Sequence, residues 1–318
     1  MAVEYLRISL TDRCNLNCIY CTPMEKSGFL KHEDLLRHEE IARAAAAFVR
    51  AGVKKIRLTG GEPLLKKNVV ELVRLIKAIP GLEELALTTN GLLLAGLAEG
   101  LRSAGLDRVN ISVDTLKEET FKKITGSPGF PKVWNGIQTA LAANYTKVKL
   151  NVVIMKGIND LEIPDFAKLS VDYPLDVRFI ELYNTNNRSY KLSGTLFTTE
   201  ETKKRIAETM GALAEVPAGR GDGPARLYTL LGAKGRIGFI SGRSDYFCGT
   251  CDRVRLDCAG KVYPCLFSPA THDLRELLRS GAPDAALDDY LKKVFLVKSN
   301  YKKDSPSAGH IEMSSIGG

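Results

Sequence analysis

Short β-forming runs alternate with helix-forming stretches up to Glu181, and this alternation limits the fold of the 318-residue chain more than any other feature. Strands separated by helices predict βαβ units, whose strands lie parallel in one sheet. The predicted strands are Tyr5–Leu10, Lys55–Thr59, Glu84–Thr89, Arg108–Ser112, Lys147–Met155 and Asp176–Glu181. The predicted helices are Glu39–Ala51, Val69–Ala78, Leu93–Ala104, Pro131–Asn144 and Ile163–Val171. Six such strands predict an α/β fold, a partial (β/α)6 TIM-type barrel with reactive groups at the C-terminal ends of its strands.

The pattern changes after Glu181. Residues 184–190 are polar and irregular, and a helix is predicted around Thr199–Met210. The glycines and prolines of Pro217–Pro224 indicate a loop. We therefore predict two parts, the partial barrel at residues 1–182 and a smaller C-terminal α+β module at residues 183–318.

Six of the seven cysteines form two triplets, one near each end of the chain. The first, spaced C-x3-C-x2-C, is Cys14, Cys18 and Cys21; the second, spaced C-x2-C-x13-C, is Cys248, Cys251 and Cys265. Three thiolates can hold three irons of a four-iron cluster and leave the fourth iron open. The alternatives are a zinc knuckle at the first triplet, although zinc usually takes four ligands, and a zinc ribbon at the second. The seventh, Cys258, is predicted to pack as a small apolar side chain.

The net charge of +8, from 45 basic and 37 acidic residues, suits an anionic ligand. On charge alone, nucleic acid, a nucleotide phosphate and an acidic partner all stay open. The sequence has no apolar run of 18 residues and no charged-then-apolar leader, so we expect neither a membrane span nor a signal peptide. We therefore expect a cytoplasmic protein, whose cysteines bind metal more often than they pair.

The segment Cys14–Cys21, with Tyr20 before its last cysteine, resembles the signature of the radical S-adenosylmethionine (radical SAM) superfamily. Thr59–Pro63, with its Gly-Gly-Glu, and Asn110–Asp114 resemble further motifs of that family in the same order. In the family, the open iron chelates the amino and carboxylate groups of SAM, and an added electron splits SAM to methionine and a 5′-deoxyadenosyl radical. The resemblance implies that SAM is contacted by Tyr20, Gly61, Ser112 and Tyr183. Tyr183 stands where a methionine often helps to bind the adenosyl group.

The second triplet and the residues after it resemble the auxiliary-cluster motif of the GTP 3′,8-cyclases, the A proteins of molybdenum cofactor biosynthesis. The final Gly317-Gly318 resembles the di-glycine tail of that family, which implies that the tail enters the active site and assists catalysis. The resemblance also implies a second [4Fe-4S] cluster that holds the guanine of GTP through its open iron. The implied substrate-binding residues are Arg7, Arg57, Thr88, Lys149, Arg253, Val254 and Arg255, with Lys55 and Arg178 as weaker candidates.

The implied activity is the conversion of GTP to 3′,8-cyclo-7,8-dihydro-GTP, the first step of molybdenum cofactor biosynthesis. It implies an electron donor and a following enzyme that takes the product, with no membrane or nucleic-acid partner. The oligomeric state stays open between a monomer and a homodimer. One alternative is a radical SAM enzyme that modifies peptides or proteins, which would not call for basic residues inside the barrel. The other is a zinc-stabilised nucleic-acid-binding protein, which the scattered basic residues do not favour.

Overall fold

A computed structural model describes residues 3–21, 29–183, 186–219, 222–241, 251–266 and 271–300. The strands in these ranges are β1 Tyr5–Ser9, β2 Lys55–Thr59, β3 Glu84–Thr89, β4 Arg108–Ser112, β5 Lys147–Ile154, β6 Leu175–Glu181, β7 Ala214–Val216, β8 Arg226–Thr229, β9 Ile237–Ile240, β10 Arg253–Leu256, β11 Lys261–Tyr263 and β12 His272–Asp273. The α-helices are α1 His38–Arg50, α2 Val69–Lys77, α3 Ala98–Ser103, α4 Glu118–Thr125, α5 Phe130–Ala142, α6 Ile163–Asp172, α7 Asn187–Lys191, α8 Thr199–Met210, α9 Arg275–Arg279 and α10 Asp284–Asn300.

Strands β1 to β6 lie side by side in chain order and are all parallel, which confirms the predicted partial (β/α)6 barrel. All six predicted strands form with ends that agree within one residue. The prediction omitted α4, although its acidic first turn and its C-cap Gly126, with φ of 76°, are ordinary helix signals. The predicted helix Leu93–Ala104 is broken into a 3-10 turn and the shorter α3, with the poor helix former Gly96 at the break.

The C-terminal part of the chain adds strands to both edges of the six-stranded sheet. On one edge β9 pairs parallel with β6, and β8 and β7 continue the sheet antiparallel. On the other edge β10 pairs parallel with β1, followed by antiparallel β11 and β12. The β1–β10 register places Arg255 beside Arg7, so residues nearly 250 positions apart in sequence become neighbours. The division at residue 182 stays a prediction.

Successive side chains of the six parallel strands point to opposite faces of the sheet. One face is apolar and packs against the helices in a single hydrophobic core, to which β1 contributes Leu6 and Ile8 and α1 contributes Phe48. Burial of such side chains stabilises the fold by about 1.5–3 kcal/mol each. The other face, here called the polar face, carries buried cations at alternate strand positions: Arg57, Lys149, Arg178 and Arg255. Since helices cover the apolar face, the polar face lines the interior of the barrel.

Helix α10 packs against α1 on the outside of the sheet. Arg50 of α1 makes a two-nitrogen contact with the Asp288 carboxylate of α10, at distances of 2.8 to 3.0 Å. The rings of Phe48 and Phe295 lie 6.1 Å apart between the helices. In the parts of the chain that the structure describes, no helix has the length and apolar character needed to cross a bilayer.

Candidate active site

The first cysteine loop follows β1 and is attached through its backbone to the end of α4. Asn17 N–H donates to the Thr125 carbonyl and Ile19 N–H donates to the Ile124 carbonyl, both at 2.9 Å. Carbonyls in the last turn of a helix lack partners within the helix, so the loop supplies the donors they need. The omitted helix α4 therefore positions Cys18, which lies between the two anchor points.

Residues just after β6 hold the same loop from another side. The Asn186 amide nitrogen donates to the carbonyls of Tyr20 (3.2 Å) and Cys21 (3.0 Å). Arg188 Nη1 donates to the Cys18 carbonyl at 3.1 Å. From the sequence, this segment was expected to be polar and irregular. The one sequence feature that could have indicated a helix here is the pair Asn186 and Ser189, which form a capping box at the start of α7.

Gly60 and Gly61, at the end of β2, allow the backbone to approach the cysteine loop. Gly60 has φ of 145°, a conformation that side chains rarely permit. Gly61 N–H donates to the Thr11 carbonyl at 2.7 Å, and a Cβ on Gly61 would overlap the carbonyl oxygen of Arg13. The Gly61 N–H is thus engaged by the loop, so the predicted contact of Gly61 with SAM would use its carbonyl oxygen.

Glu62 ties the ends of β2 and β3 together beneath this loop. Its buried carboxylate accepts from Leu64 N–H (3.0 Å), the Thr89 hydroxyl (2.7 Å) and Asn90 N–H (2.8 Å). Burial raises the pKa of Glu62 to about 7. The Asn90 amide in turn lies 3.8 Å from Cys14 Sγ, so Glu62 helps to position a residue next to a predicted cluster ligand.

The Tyr20 hydroxyl donates to the buried Asp114 carboxylate at 2.7 Å. Asp114 also accepts from Val153 N–H at 2.8 Å, and burial raises its pKa to about 6. Ser112 is the last residue of β4, and Tyr183 follows β6. Both are half-buried and lie at the C-terminal edge of the parallel sheet, where the cysteine loop leaves β1. The four predicted SAM contacts therefore share one end of the barrel, and their contacts to SAM stay predictions.

The donor chemistry of Cys14, Cys18 and Cys21 fits an iron–sulfur cluster. In the described ranges, no three His, Cys, Asp or Glu side chains converge on a position for one metal ion. A four-iron cluster takes one thiolate at each of three irons and leaves the fourth iron open for another ligand. Burial raises the pKa of Cys18 well above its usual value, as do the charges of Cys21 and Asp114. Iron binding would therefore have to drive deprotonation at this site.

At the second triplet, the structure describes Cys251 just before β10 and Cys265 just after β11, while Cys248 lies outside the described residues. Burial acts to raise the pKa of Cys251, but the charges of Arg253 and Lys298 outweigh it and lower that pKa overall. The Lys298 ammonium lies 3.7 Å from Cys251 Sγ. The lowered pKa makes it easier for Cys251 to form the thiolate that an iron ligand requires.

Cys258 is 2% exposed and burial raises its pKa to about 12, so it is a packed, protonated thiol. This agrees with its predicted role outside both clusters.

One side of the polar face, at β10, β1 and β2, concentrates arginines; Arg7, Arg57 and Arg255, named here the arginine subsite, lie side by side in register. Burial lowers the pKa of Arg255 to about 10, and the charge of Arg253 acts in the same direction. Arg57 Nε and Arg7 Nε are buried without a hydrogen-bond partner among the described residues, as is the Thr88 hydroxyl. Crowded cations with unused donors indicate a site for an anion.

Two further predicted substrate contacts flank the arginine subsite on β10. Arg253 lies opposite Tyr5 in the β1–β10 register and shares its face with Arg255. The side chain of Val254 points to the apolar face and is buried in the core, so its predicted contact with GTP would use its backbone.

The other side of the polar face is partly neutralised by a carboxylate that the sequence analysis did not select. Lys149 of β5 lies 2.9 Å from the Asp222 carboxylate, in the loop between β7 and β8. Arg178 of β6 donates to the Asp222 carbonyl at 2.8 Å. Burial lowers the pKa of Lys149 to about 7, and the charge of Arg178 acts in the same direction. Asp222 gave little signal in the sequence because its loop only indicated a turn.

Comparisons with known proteins place the two halves of the chain in known families. Residues 8–170 match the family described as the radical SAM superfamily, and residues 175–304 match Molybdenum Cofactor Synthesis C. A GTP 3′,8-cyclase from Heliobacterium modesticaldum is 48% identical over 93% of this chain and 90% of its own length. A GTP 3′,8-cyclase from Moorella thermoacetica is 46% identical over 99% of this chain and 98% of its own length.

Among solved structures, Streptococcus suis SuiB bound to S-adenosylmethionine aligns with a TM-score of 0.68. The alignment covers 98% of this chain and 72% of that protein at 14% identity. At so low an identity, this likeness shows a shared fold and nothing more.

Proposed function

The chain belongs to the radical SAM superfamily and, within it, to the GTP 3′,8-cyclase family, and from this premise we propose how its residues support the reaction. It is a radical SAM lyase of molybdenum cofactor biosynthesis that uses SAM and a [4Fe-4S] cluster and takes GTP as its substrate. Family membership removes the zinc-stabilised nucleic-acid-binding alternative. The likeness to SuiB concerns the fold alone, so it does not support the alternative of a radical SAM enzyme that modifies peptides or proteins.

The observation that carries the proposal is the placement of Arg255 beside Arg7 and Arg57 by the pairing of β10 with β1. This pairing brings the strand after Cys251 next to the strand before Cys14. A substrate held by the arginine subsite would therefore lie between the two cysteine sites. The buried, unpartnered nitrogens of Arg7 and Arg57 support an anionic substrate there.

We assign the radical-generating cluster to Cys14, Cys18 and Cys21, and SAM contacts to Tyr20, Gly61, Ser112 and Tyr183. When bound, this cluster and SAM would supply a 5′-deoxyadenosyl radical that removes the C3′ hydrogen of GTP; C3′ then bonds to C8 of guanine, and one further electron from the external donor and one proton complete the product. The chain's own contribution is to fix the loop. The loop is held by backbone hydrogen bonds to the end of α4, by the close approach of Gly61 and by the side chains of Asn186 and Arg188 after β6.

We assign a second [4Fe-4S] cluster to Cys248, Cys251 and Cys265. Support comes from the lowered pKa of Cys251 beside Arg253 and Lys298, which favours the ligand form of the thiol. The same cations would attract an anionic nucleotide to this end of the barrel.

GTP is assigned to the polar face, where Arg7, Arg57, Arg253 and Arg255 bind it together with Thr88, Lys149 and the Val254 backbone. These residues lie on β1, β2, β3, β5 and β10, so they contact the nucleotide from several directions. Rigid strands can hold C3′ and C8 in the orientation that ring closure needs. Gly317 and Gly318 lie outside the described residues, and their entry into the active site is part of this proposal.

An external electron donor, a following enzyme that takes the product and a cytoplasmic location complete the proposal. The two-part division at residue 182 belongs with them.

Anaerobic incubation of reconstituted protein with GTP, SAM and dithionite tests the function. We expect about eight irons per chain, 5′-deoxyadenosine, and a cyclised nucleotide that forms in proportion to it. 5′-Deoxyadenosine without any cyclised nucleotide would contradict the GTP assignment while leaving the radical SAM chemistry in place.

A further inference from the structure

A carboxylate of the chain itself lies among the cations on the β5–β6 side of the polar face. The Lys149 ammonium, the Arg178 and Arg236 guanidinium groups and the Gly219 N–H surround Asp222; together they are named here the lysine subsite. Asp222 is 3% exposed and Lys149 is 1% exposed, so the pair is enclosed by protein.

Donors converge on both oxygens of Asp222. Its Oδ1 accepts from Lys149 Nζ and Arg236 Nη2, both at 2.9 Å, and lies 3.6 Å from Arg178 Nη2. Its Oδ2 accepts from Arg236 Nη1 at 2.9 Å and Gly219 N–H at 3.0 Å. A lysine, two arginines and a loop N–H are the donors that proteins commonly use to bind phosphate. The lysine subsite is therefore built for an anion, and its present occupant is Asp222.

The lysine subsite borders the arginine subsite. Lys149 lies opposite Asn110 in the β4–β5 register, and the amide oxygen of Asn110, oriented toward Arg57, accepts from its Nη1 and Nη2 at 2.6 and 3.2 Å. Arg178 also links the two subsites. Burial lowers its pKa to about 10, and the charge of the nearby Arg57 acts in the same direction. An extended polyphosphate at the arginine subsite can thus reach toward Lys149.

We propose that Asp222 is an intramolecular competitor for nucleotide phosphate at Lys149 and Arg178. The inference rests on the proposed function for the identity of the nucleotide. With no nucleotide bound, the carboxylate satisfies the buried cations, whose charge would otherwise be costly to bury. A phosphate group that reaches the subsite takes over the Lys149 ammonium and pairs with the Arg178 guanidinium, whose Nη2 otherwise donates to the Asp222 carbonyl, and the Asp222 side chain stays with Arg236. The observed binding free energy of a polyphosphate is then the difference between what the donors gain from the phosphate and what they lose when the Asp222 carboxylate leaves.

A purely structural role for Asp222 predicts the opposite result. If the carboxylate only held Lys149 and Arg178 in place, its neutralisation would loosen them and weaken phosphate binding. Competition predicts tighter binding, because the resident anion and its repulsion of phosphate are both removed. The sign of the change separates the two roles.

The test is calorimetric titration of the anaerobic, cluster-loaded protein with inorganic tripolyphosphate and with GTP, comparing wild type with Asp222→Asn. We expect the Kd for tripolyphosphate to fall about tenfold or more in the variant, with a change in the same direction for GTP. The matched control is Asp107→Asn, which removes a carboxylate from a 2.6 Å pair with Lys77 away from the polar face. The control should bind like wild type. Unchanged or weaker tripolyphosphate binding by Asp222→Asn would overturn the proposal.

A second measurement applies if Asp222→Asn does not fold. A crystal structure of the wild-type protein with tripolyphosphate should show Lys149 and Asp222 separated and phosphate oxygen in contact with Lys149. Persistence of the 2.9 Å contact with tripolyphosphate bound would overturn the competition. Cyclisation of GTP by the wild type is assayed in parallel. A protein that cyclises GTP but fails either binding test disproves only the competition, whereas tighter tripolyphosphate binding without cyclisation disproves only the GTP assignment.

Discussion

The two cysteine sites differ in the charges that act on a predicted cluster ligand. Burial and the nearby Asp114 raise the pKa of Cys18 at the first site, whereas Arg253 and Lys298 lower that of Cys251 at the second. Negative surroundings disfavour the addition of an electron and so lower the reduction potential of a cluster. A low potential suits a site that must pass an electron to SAM. Positive surroundings suit a site that receives an anionic nucleotide. The charges around two similar sets of cysteine ligands can therefore give the two sites different functions.

Removal of one ligand from each site should have the largest effect and should separate the two roles. We expect Cys18→Ala to abolish 5′-deoxyadenosine formation, because the radical-generating cluster loses a ligand. Cys251→Ala should keep dithionite-driven 5′-deoxyadenosine formation and lose the cyclised nucleotide. Chromatography of both products checks this, with Cys258→Ala as the control that retains both activities. Wild-type cyclisation by Cys251→Ala would show that the second site does not hold the substrate.

A methyl group at Gly61 should damage the first site alone. The added Cβ of Gly61→Ala would overlap the Arg13 carbonyl and displace the cysteine loop. We expect about four of eight irons to be lost, as measured by iron analysis and electron paramagnetic resonance. Gly96→Ala is the matched control, because a Cβ there meets nothing within 4 Å. Full iron content in Gly61→Ala would mean that the loop tolerates displacement.

Loss of one arginine of the arginine subsite should weaken substrate binding without stopping radical formation. Arg255→Met removes a buried guanidinium of the arginine subsite, and we expect GTP binding to weaken by about 2–4 kcal/mol. Titration calorimetry measures the affinity, and 5′-deoxyadenosine formed without GTP should stay at the wild-type level. The control Arg279→Met loses an ion pair with Glu40 and hydrogen bonds to the Glu33 and Leu35 carbonyls on the outer surface, away from the polar face, and should bind GTP normally. Equal losses in both variants would refute a specific role for Arg255.

The last prediction concerns the stability that Glu62 contributes next to the first cysteine loop. The pKa of Glu62 is about 7 in the folded chain, against 4.5 for an ordinary glutamate. Between these values the folded chain holds a proton that the unfolded chain has released, so this contribution to stability is full below pH 4.5 and is lost as the pH rises to 7. At 1.36 kcal/mol per pKa unit, the loss is about 3 kcal/mol.

Glu62→Gln cannot titrate, so its stability should fall less steeply over the same pH range. Urea denaturation of the iron-free protein at pH 5 and pH 7.5 measures the slopes for the variant and the wild type. Identical slopes would show that Glu62 ionises normally in the folded chain.

Local patterns in the sequence were sufficient for the parallel strands and for the loop that carries Cys14, Cys18 and Cys21. Arg7, Arg57 and Lys149 were selected by the resemblance to the substrate-binding pattern of the family, since each of them alone is an ordinary charged residue in the sequence. Local patterns were not sufficient for Asn186, Arg188 and Asp222. These residues lie in segments without periodicity, and their roles depend on partners more than 70 positions away.

The sequence by itself determined the alternation of strands and helices, the spacing of the cysteines and the family of the chain, since these are properties of neighbouring residues. Only the tertiary structure decided that β10 pairs with β1 and brings Arg255 beside Arg7, and that Asp222 lies between Lys149 and Arg236. The physical reason is that strand pairing and the burial of charge join segments that are distant in sequence. Which cation meets which anion is settled when the sheet assembles and water is excluded from its polar face.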